Sequence, residues 1–441
     1  MEDALIIQGG TVLKGDVVLS GAKNLALKVI IAALLFEHEV IIENVPRIND
    51  VYEVLHLIET LGGKAEFTDK NTVRIDGTIM KEKTVDMLHG SKVRVSFMLF
   101  APLLHKFKTC NVPNPGGCRL GARPIDRIVQ GMQKLGVTIE YNSSSGYYHA
   151  SLEKDVEGSY TFAKPSHTGT ELLIMLAAIG KNKVAIHNAA LEPEIDELIQ
   201  FLNQSGANIK RDKSSILIEG VTSLKQQKPF LIMADRIEAV TFATLAIATK
   251  GDITVHGVQE KFISSLLDHM RKTGSIVEKK GDDVFRFAYN GKLKPVDIET
   301  APYPGFVTDW QPNWAVLMTF ADGTSLLHER MFENRFSYVS QLRKLGAKIE
   351  YVNVDVDKPA EFYQFNYDSS KSYKQAIRIH GGTDLHNGVV TITDLRAGAT
   401  LAIACLSVPG ESVVLGASQL ERGYEDFVTK VEKLGGNIKK I

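Results

Sequence analysis

The sequence predicts an α/β protein of two domains, each assembled from three copies of one strand-and-helix unit. A repeat, an alternation and an unusual set of apolar helices carry that expectation. The segments IETLGGKAEF, MQKLGVTIEY, LNQSGANIKR, MRKTGSIVEK, LRKLGAKIEY and VEKLGGNIKK share one setting. Their glycines, Gly62, Gly136, Gly206, Gly274, Gly346 and Gly435, recur roughly every 70 residues with a longer last interval, too long for a solenoid and right for a small subdomain. Each segment reads as the end of an amphipathic helix, a glycine where the backbone needs φ > 0, and then an alternating strand.

Several units also open alike. LALKVIIAALLFEHEVIIENVP, ELLIMLAAIGKNKVAIHNAAL and TFATLAIATKGDITVHGV each run an apolar helix into a short basic or glycine turn and a β-branched strand. Helices apolar on nearly every face must be buried, and six of them cannot share one small core. Two domains of three units follow. The fifth interval is longer because Tyr351 to Ile379 adds the acidic, tyrosine-rich VNVDVDKPAEFYQFNYDSSKSYK, read as an extended hairpin or excursion and expected to be a solvated insertion without function.

Bulk properties exclude several classes. A chain of 441 residues with 44% hydrophobic and 23% charged residues is long and apolar enough for large globular cores. Its net charge of -1 argues against a broad nucleic-acid or membrane surface, so any anion site must be a local cluster of bases. Three cysteines, Cys110, Cys118 and Cys405, are too few for a disulfide framework and point to a reducing compartment. MEDALIIQGG has acids where a signal peptide needs bases, and the longest apolar run, Leu25 to Phe36, is too short for a bilayer and contains Lys28. A cytoplasmic location is therefore expected. No Walker loop, G-x-G-x-x-G after a strand, or Cys/His cluster with metal spacing occurs, so neither cofactor nor metal is expected.

One cysteine stands apart. In NPGGCRLGARPID, Cys118 follows Gly116 and Gly117 and lies among Arg119 and Arg123, a polar glycine-rich interruption between two helix-like stretches. The glycines give backbone freedom and the arginines favour the thiolate, so the stretch reads as a mobile loop with a reactive sulfur. Cys110 and Cys405 sit in apolar surroundings and read as inert.

SGAKNLAL, PGGCRLGARPID, LEPEI, ADRIE, TAPYPGFVTD, FENRF, TDLRAGA and ERGYE together resemble the enolpyruvyl transferases over nearly the whole chain. The cysteine loop is similar to that of the branch acting on a UDP-sugar rather than its shikimate-pathway sibling. The resemblance implies a two-domain inside-out α/β barrel, each domain three βαβαββ units with helices inside and sheets outside. It also implies that residues 1–22 join 236–441 in a catalytic domain carrying Asp309, Arg335, Arg396 and Arg422, while 23–235 form the domain carrying the cysteine loop, 113–124. The implied reaction transfers the enolpyruvyl group of phosphoenolpyruvate to the 3-hydroxyl of UDP-N-acetylglucosamine through a tetrahedral ketal, with release of phosphate. That is the first committed step of peptidoglycan synthesis.

Such chemistry needs cations for a phosphate and a carboxylate, a base for the hydroxyl, and an acid for the enol carbon. By resemblance Lys23, Arg123 and Arg422 match phosphate-binding bases, Arg335 and Arg396 those nearest the carboxylate, and Arg94 a base lining the cleft. Arginine suits these places because its planar fork pairs two oxygens at once. Asp309 matches the carboxylate beside the acceptor hydroxyl; by its own sequence it also reads as a helix N-cap, since WAVLMTF follows. Cys118 matches the loop cysteine linked to protonation and product release, the target of fosfomycin. Asn24 is expected near both substrates, and Asp126, Ser166, Gly169 and Met331 beside the UDP-sugar. Glu192 and Glu194 read either as cleft residues or as interdomain ion-pair partners.

The chain departs from the family pattern at Arg127 and Ile128 after ARPID, at Ser166, His167, Thr168 and Gly169, where the motif is one residue longer, at DRIEAVT, and at Trp310. The first two departures fall where a uridyl group would bind, which keeps open another nucleotide acceptor; a catalytically silent nucleotide-sugar-binding paralogue is the other alternative. The expected partners are phosphoenolpyruvate and a UDP-sugar, with no nucleic acid or membrane, in a monomer or weak homo-oligomer.

Overall fold

The computed structural model describes residues 3–116, 124–333 and 335–441. Cys118 and Arg123 lie outside them. The chain divides into two compact units, one formed by residues 3–20 with Ala234–Ile441 and the other by residues 21–116 with Pro124–Met233. Among the described residues each unit holds three sheets.

Each sheet follows from the repeat. In the unit of residues 234–441, strand Lys14–Val18 pairs in parallel with Asp252–His256, which pairs antiparallel with Val284–Ala288 and through it with Ile276–Gly281. The same order, a parallel first pair followed by two antiparallel strands, recurs in Ile298–Glu299, Thr324–His328, Ala376–His380 and Lys348–Val352. The third sheet closes with the start of the chain: Ala4–Gly9 lies antiparallel between Gly410–Leu415 and Asn437–Lys440. In the other unit, Phe230–Leu231 completes the sheet begun by Val40–Glu43.

The six repeat glycines all adopt φ between 83° and 103°, immediately after the C-cap of an amphipathic outer helix. A side chain there would be strained, which is why the residue recurs.

Six helices are the buried ones the sequence predicts: Lys23–Ala32, Phe100–Phe107, His167–Ala178, Arg236–Ala248, Gln311–Thr319 and Leu395–Ser407. Every residue of Arg236–Ala248 and Gln311–Thr319 is buried, and these two pack against each other and against Leu395–Ser407. Helices with no solvent face inside, and sheets outside, give the inside-out arrangement. No helix among the described residues is long and apolar enough to cross a membrane.

The 351–379 insertion is an excursion between the paired strands Lys348–Val352 and Ala376–His380. It is less solvated than expected. Tyr363, Phe365, Tyr367 and Tyr373 pack on one another with ring centroids 5.1 to 6.4 Å apart, and the Tyr363 hydroxyl meets His328 Nε2 at 3.1 Å. Aromatic area of this size is enough to bury a small satellite core.

Candidate active site

Asp309 lies on the 3-10 turn Thr308–Trp310 that leads into helix Gln311–Thr319. It is not the N-cap. Trp310 holds that position without a side-chain cap bond, and the Asp309 carboxylate serves two guanidiniums instead. Arg335 Nη2 donates to its Oδ1 at 2.9 Å, and Arg396 Nη2 to its Oδ2 at 3.3 Å. Side-chain exposure is 1% for Arg335, 7% for Arg396 and 27% for Asp309, so the carboxylate is the most accessible member of the trio.

Local chemistry fixes both arginines. Asp394 is the N-cap of helix Leu395–Ser407 and accepts from Arg396 N at 3.0 Å and Ala397 N at 3.1 Å. Its Oδ2 takes the Ser337 hydroxyl at 2.9 Å, while the capping Oδ1 stands 3.9 Å from Arg335 Nη1. Burial works against the charge of Arg396, but Asp309, followed by Tyr424, Asp235 and a Tyr424 hydrogen bond, more than offsets it, and the pKa ends above the ordinary arginine value. Tyr424 continues into a buried chain of hydroxyl and amide bonds, to Thr241 at 2.8 Å, Thr241 to Asn313 at 2.9 Å and Asn313 to Thr400 at 2.8 Å, joining the three buried helices of this unit. Arg335 Nε and Arg396 Nη1 are buried without a hydrogen-bond partner. The trio thus carries two fixed cations, free donors and one carboxylate, a set suited to an anion and a proton donor together.

Arg422 ends the 3-10 helix Ala417–Arg422 and donates to Gln419 at 3.3 Å. Met331 donates its backbone N–H to Glu329 Oε1 at 2.7 Å. Glu329 is fully buried, with its pKa raised by that burial, and the sequence reading does not name it.

The other unit places the remaining residues at helix starts. Lys23 opens helix Lys23–Ala32, followed by Asn24, and its Nζ pairs with Asp50 Oδ2 at 2.6 Å. Both partners are buried. Arg94 begins the 3-10 helix Arg94–Leu99, its guanidinium 6.0 Å from the Phe97 ring centroid. Asp126 is exposed at the first position of helix Asp126–Lys134. Ser166 caps helix His167–Ala178, accepting from Gly169 N at 3.2 Å, and a Cβ on Gly169 would lie 2.7 Å from that same hydroxyl.

The longer motif has a structural consequence. His167 Nε2 stands 3.2 Å from Glu171 Oε1, and Lys28 Nζ 3.3 Å from Glu171 Oε2, with Glu171 wholly buried. Burial pulls the His167 pKa down; Glu171, with Glu192 adding to it, outweighs burial and the opposing Lys28, and the net shift is upward. Glu192 precedes helix Pro193–Gln204 and Glu194 is buried in its first turn. Burial also pushes the thiols of Cys110 and Cys405 up to about 12 and about 11, consistent with inert cysteines.

The family model of EPSP synthase (3-phosphoshikimate 1-carboxyvinyltransferase) matches residues 7–431. Among curated proteins the chain is 37% identical over 433 residues to the UDP-N-acetylglucosamine 1-carboxyvinyltransferase of Finegoldia magna, covering 97% of this chain and 96% of that one. It is 38% identical over 443 residues to UDP-N-acetylglucosamine 1-carboxyvinyltransferase 3 of Caldanaerobacter subterraneus subsp. tengcongensis, covering 100% and 99%. Among solved structures, the enolpyruvyl transferase NikO from Streptomyces tendae superposes with a TM-score of 0.85 at 22% identity, covering 100% of this chain and 99% of that one. EPSP synthase from Acinetobacter baumannii superposes with a TM-score of 0.74 at 16% identity, covering both chains fully at 100%.

Proposed function

The chain belongs to the EPSP synthase family of enolpyruvyl transferases, and from that premise we propose that it transfers the enolpyruvyl group of phosphoenolpyruvate to the 3-hydroxyl of UDP-N-acetylglucosamine, releasing phosphate. The observation that carries the reading is the Arg335–Asp309–Arg396 trio. Two buried guanidiniums with unused donors suit a carboxylate or phosphate, and the partly exposed Asp309 between them suits a hydroxyl proton.

In the proposed reaction Asp309 takes the proton as the sugar oxygen bonds to the central carbon of the enolpyruvyl group. Cys118 supplies a proton to the methylene carbon, giving a tetrahedral ketal. Loss of phosphate from the central carbon and of a proton from the new methyl group restores the double bond. Lys23, Asn24, Arg123, Arg335, Arg396 and Arg422 are assigned to phosphoenolpyruvate; Asn24, Arg94, Arg123, Asp126, Ser166, Gly169, Asp309 and Met331 are assigned to the UDP-sugar. Arg396 keeps its charge throughout the physiological range, because its pKa lies above an already high ordinary value. The reading places the chain in peptidoglycan synthesis, in the cytoplasm, with Cys118 open to fosfomycin.

The test is phosphate release from phosphoenolpyruvate across a panel of UDP-sugars and plain uridine nucleotides. Turnover dependent on UDP-N-acetylglucosamine supports the assignment. Turnover only with a different nucleotide would transfer the reaction to that acceptor, and no turnover with any of them would refute it.

A further inference from the structure

We propose that Glu329 is a positioning residue that fixes Asp309 for proton transfer, an inference that rests on the reading of Asp309 as the base. The Glu329 carboxylate is wholly buried and binds two separate segments, one with each oxygen. Its Oε2 accepts from the Thr308 hydroxyl at 2.8 Å and from Gln311 Nε2 at 3.4 Å. Those residues flank Asp309 on the turn that carries it. Its Oε1 accepts from the backbone N–H of Met331 at 2.7 Å and of Phe332 at 3.2 Å, on the segment leading to Arg335. One side chain therefore ties the turn of the carboxylate to the approach of the arginine that pairs with it.

The anchor itself is rigid. Glu329 N donates to the Gln375 carbonyl at 2.7 Å, and Gln375 Nε2 returns bonds to Glu329 O at 2.9 Å and Phe332 O at 3.0 Å. Gln375 directly precedes strand Ala376–His380, which pairs with Thr324–His328, so the anchor is built on the sheet. On the other side, Gln311 is held by the Tyr338 hydroxyl at 2.7 Å to its Oε1, which prevents its amide from flipping to suit a different partner.

Only a carboxylate fits this place. It has acceptor sites for four donors on two oxygens, whereas a glutamine offers one oxygen and one NH₂ group. Glu329→Gln keeps an acceptor for one segment and puts a donor against Gln311 Nε2 on the other. The Gln311 bond is lost and the Thr308 hydroxyl must turn from donor to acceptor, so the turn that carries Asp309 is held less firmly to the sheet while the side chain keeps nearly the same volume. A shift of a reacting group by about 1 Å is enough to cost up to ~10²-fold in rate.

The experiment is a double-mutant cycle on the full chain, read as steady-state phosphate release. In the wild-type background Glu329→Gln is expected to lower kcat about tenfold or more, with KM for the UDP-sugar within about twofold. In the Asp309→Asn background the same change is expected to cost less than about twofold, because the group it positions no longer acts. A merely structural role would lower kcat by the same factor in both backgrounds, and that result, or an unchanged kcat in the single variant, overturns the proposal alone. Thr308→Val removes only the hydroxyl bond to Oε2 and carries the same cycle if Glu329→Gln does not fold; it is expected to show the same non-additivity with a smaller loss. A wild-type chain that releases no phosphate with any acceptor overturns the reading of the reaction, and this proposal with it.

Discussion

Replacing Asp309 by asparagine separates its chemical role from its electrostatic one. Asparagine offers one acceptor oxygen where aspartate has two, so one of the bonds from Arg335 and Arg396 is lost and an NH₂ group faces a guanidinium. Loss of a charge-assisted bond costs about 1.5–3 kcal/mol. A buried cation stripped of its partner costs about 3–5 kcal/mol, an upper bound here because Asp394 stays within 3.9 Å of Arg335 and Tyr424 beside Arg396. The 27% exposure of Asp309 lowers the figure further, and about 2–4 kcal/mol is the expected loss. For a unit of this size that corresponds to a fall in Tm of roughly 5–15 °C. Turnover should fall by ~10²-fold or more through loss of the base, with affinity for the UDP-sugar largely kept. An anion should also stabilise the variant more than the wild type, since it neutralises arginines that Asp309 no longer serves. Thermal melts with and without phosphoenolpyruvate, calorimetric titration of the UDP-sugar and phosphate-release kinetics measure the three effects. A fully active asparagine variant refutes the base; an unchanged Tm with no extra stabilisation by anion refutes the electrostatic account of the trio.

Three further outcomes are expected. Fosfomycin should add one covalent mass, mapped to Cys118 and formed faster with UDP-sugar bound, while Cys110 and Cys405, whose thiols burial pushes to about 12 and about 11, stay unmodified. Cys118→Asp should keep activity and resist the adduct, and Cys118→Ser should lose most activity; an adduct on Cys110 or Cys405, or a fully active serine variant, would count against the assignment. The folded-state pKa of His167 is raised, so its contribution to stability is fully present below the unfolded value of about 6.5 and is lost as pH rises through the folded one. His167→Gln should therefore lower Tm more at pH 5.5 than at pH 9, and an equal loss at both would show that the Glu171 pair is not charged as described.

What the sequence reveals follows physical lines. The six repeat glycines are legible because a positive φ at a helix end has one inexpensive solution, and most of the inner helices because burial on nearly every face leaves no polar stripe. Local signals fail where a residue has two possible uses. Asp309 precedes an apolar helix, as an N-cap would, yet the intervening 3-10 turn points it at Arg335 and Arg396. Asp394 does cap the helix it precedes; its second service, to Ser337 and Arg335, is a long-range contact with no pattern in the chain. The pairing of Lys23 with Asp50 and the four bonds of Glu329 are invisible for the same reason.

The repeat also explains where the candidate residues sit. A helix buried on every face has no side available for chemistry, so polar function is confined to its first turn and the segment before it. Lys23 and Asn24 open one inner helix, Ser166 caps a second, the turn of Asp309 enters a third, and Arg396 lies in the first turn of a fourth. Arg94 occupies the 3-10 segment that runs into a fifth, and Arg236 starts the sixth. Helix N-termini present unpaired N–H groups and a partial positive charge, and they favour anions independently of the side chains placed there. A fold that repeats one inner helix six times thus repeats one kind of site-bearing position, and the chemistry differs with the residues set on it. Asp309 is held by two guanidiniums that bond it directly, whereas Glu329, wholly buried behind the same turn, takes its hydrogen bonds from the neutral donors Thr308, Gln311, Met331 and Phe332, with the nearby Arg335 charge adding to them. The first arrangement leaves the carboxylate partly open to a substrate; the second closes it off, which is why Asp309 is the candidate base and Glu329 its support.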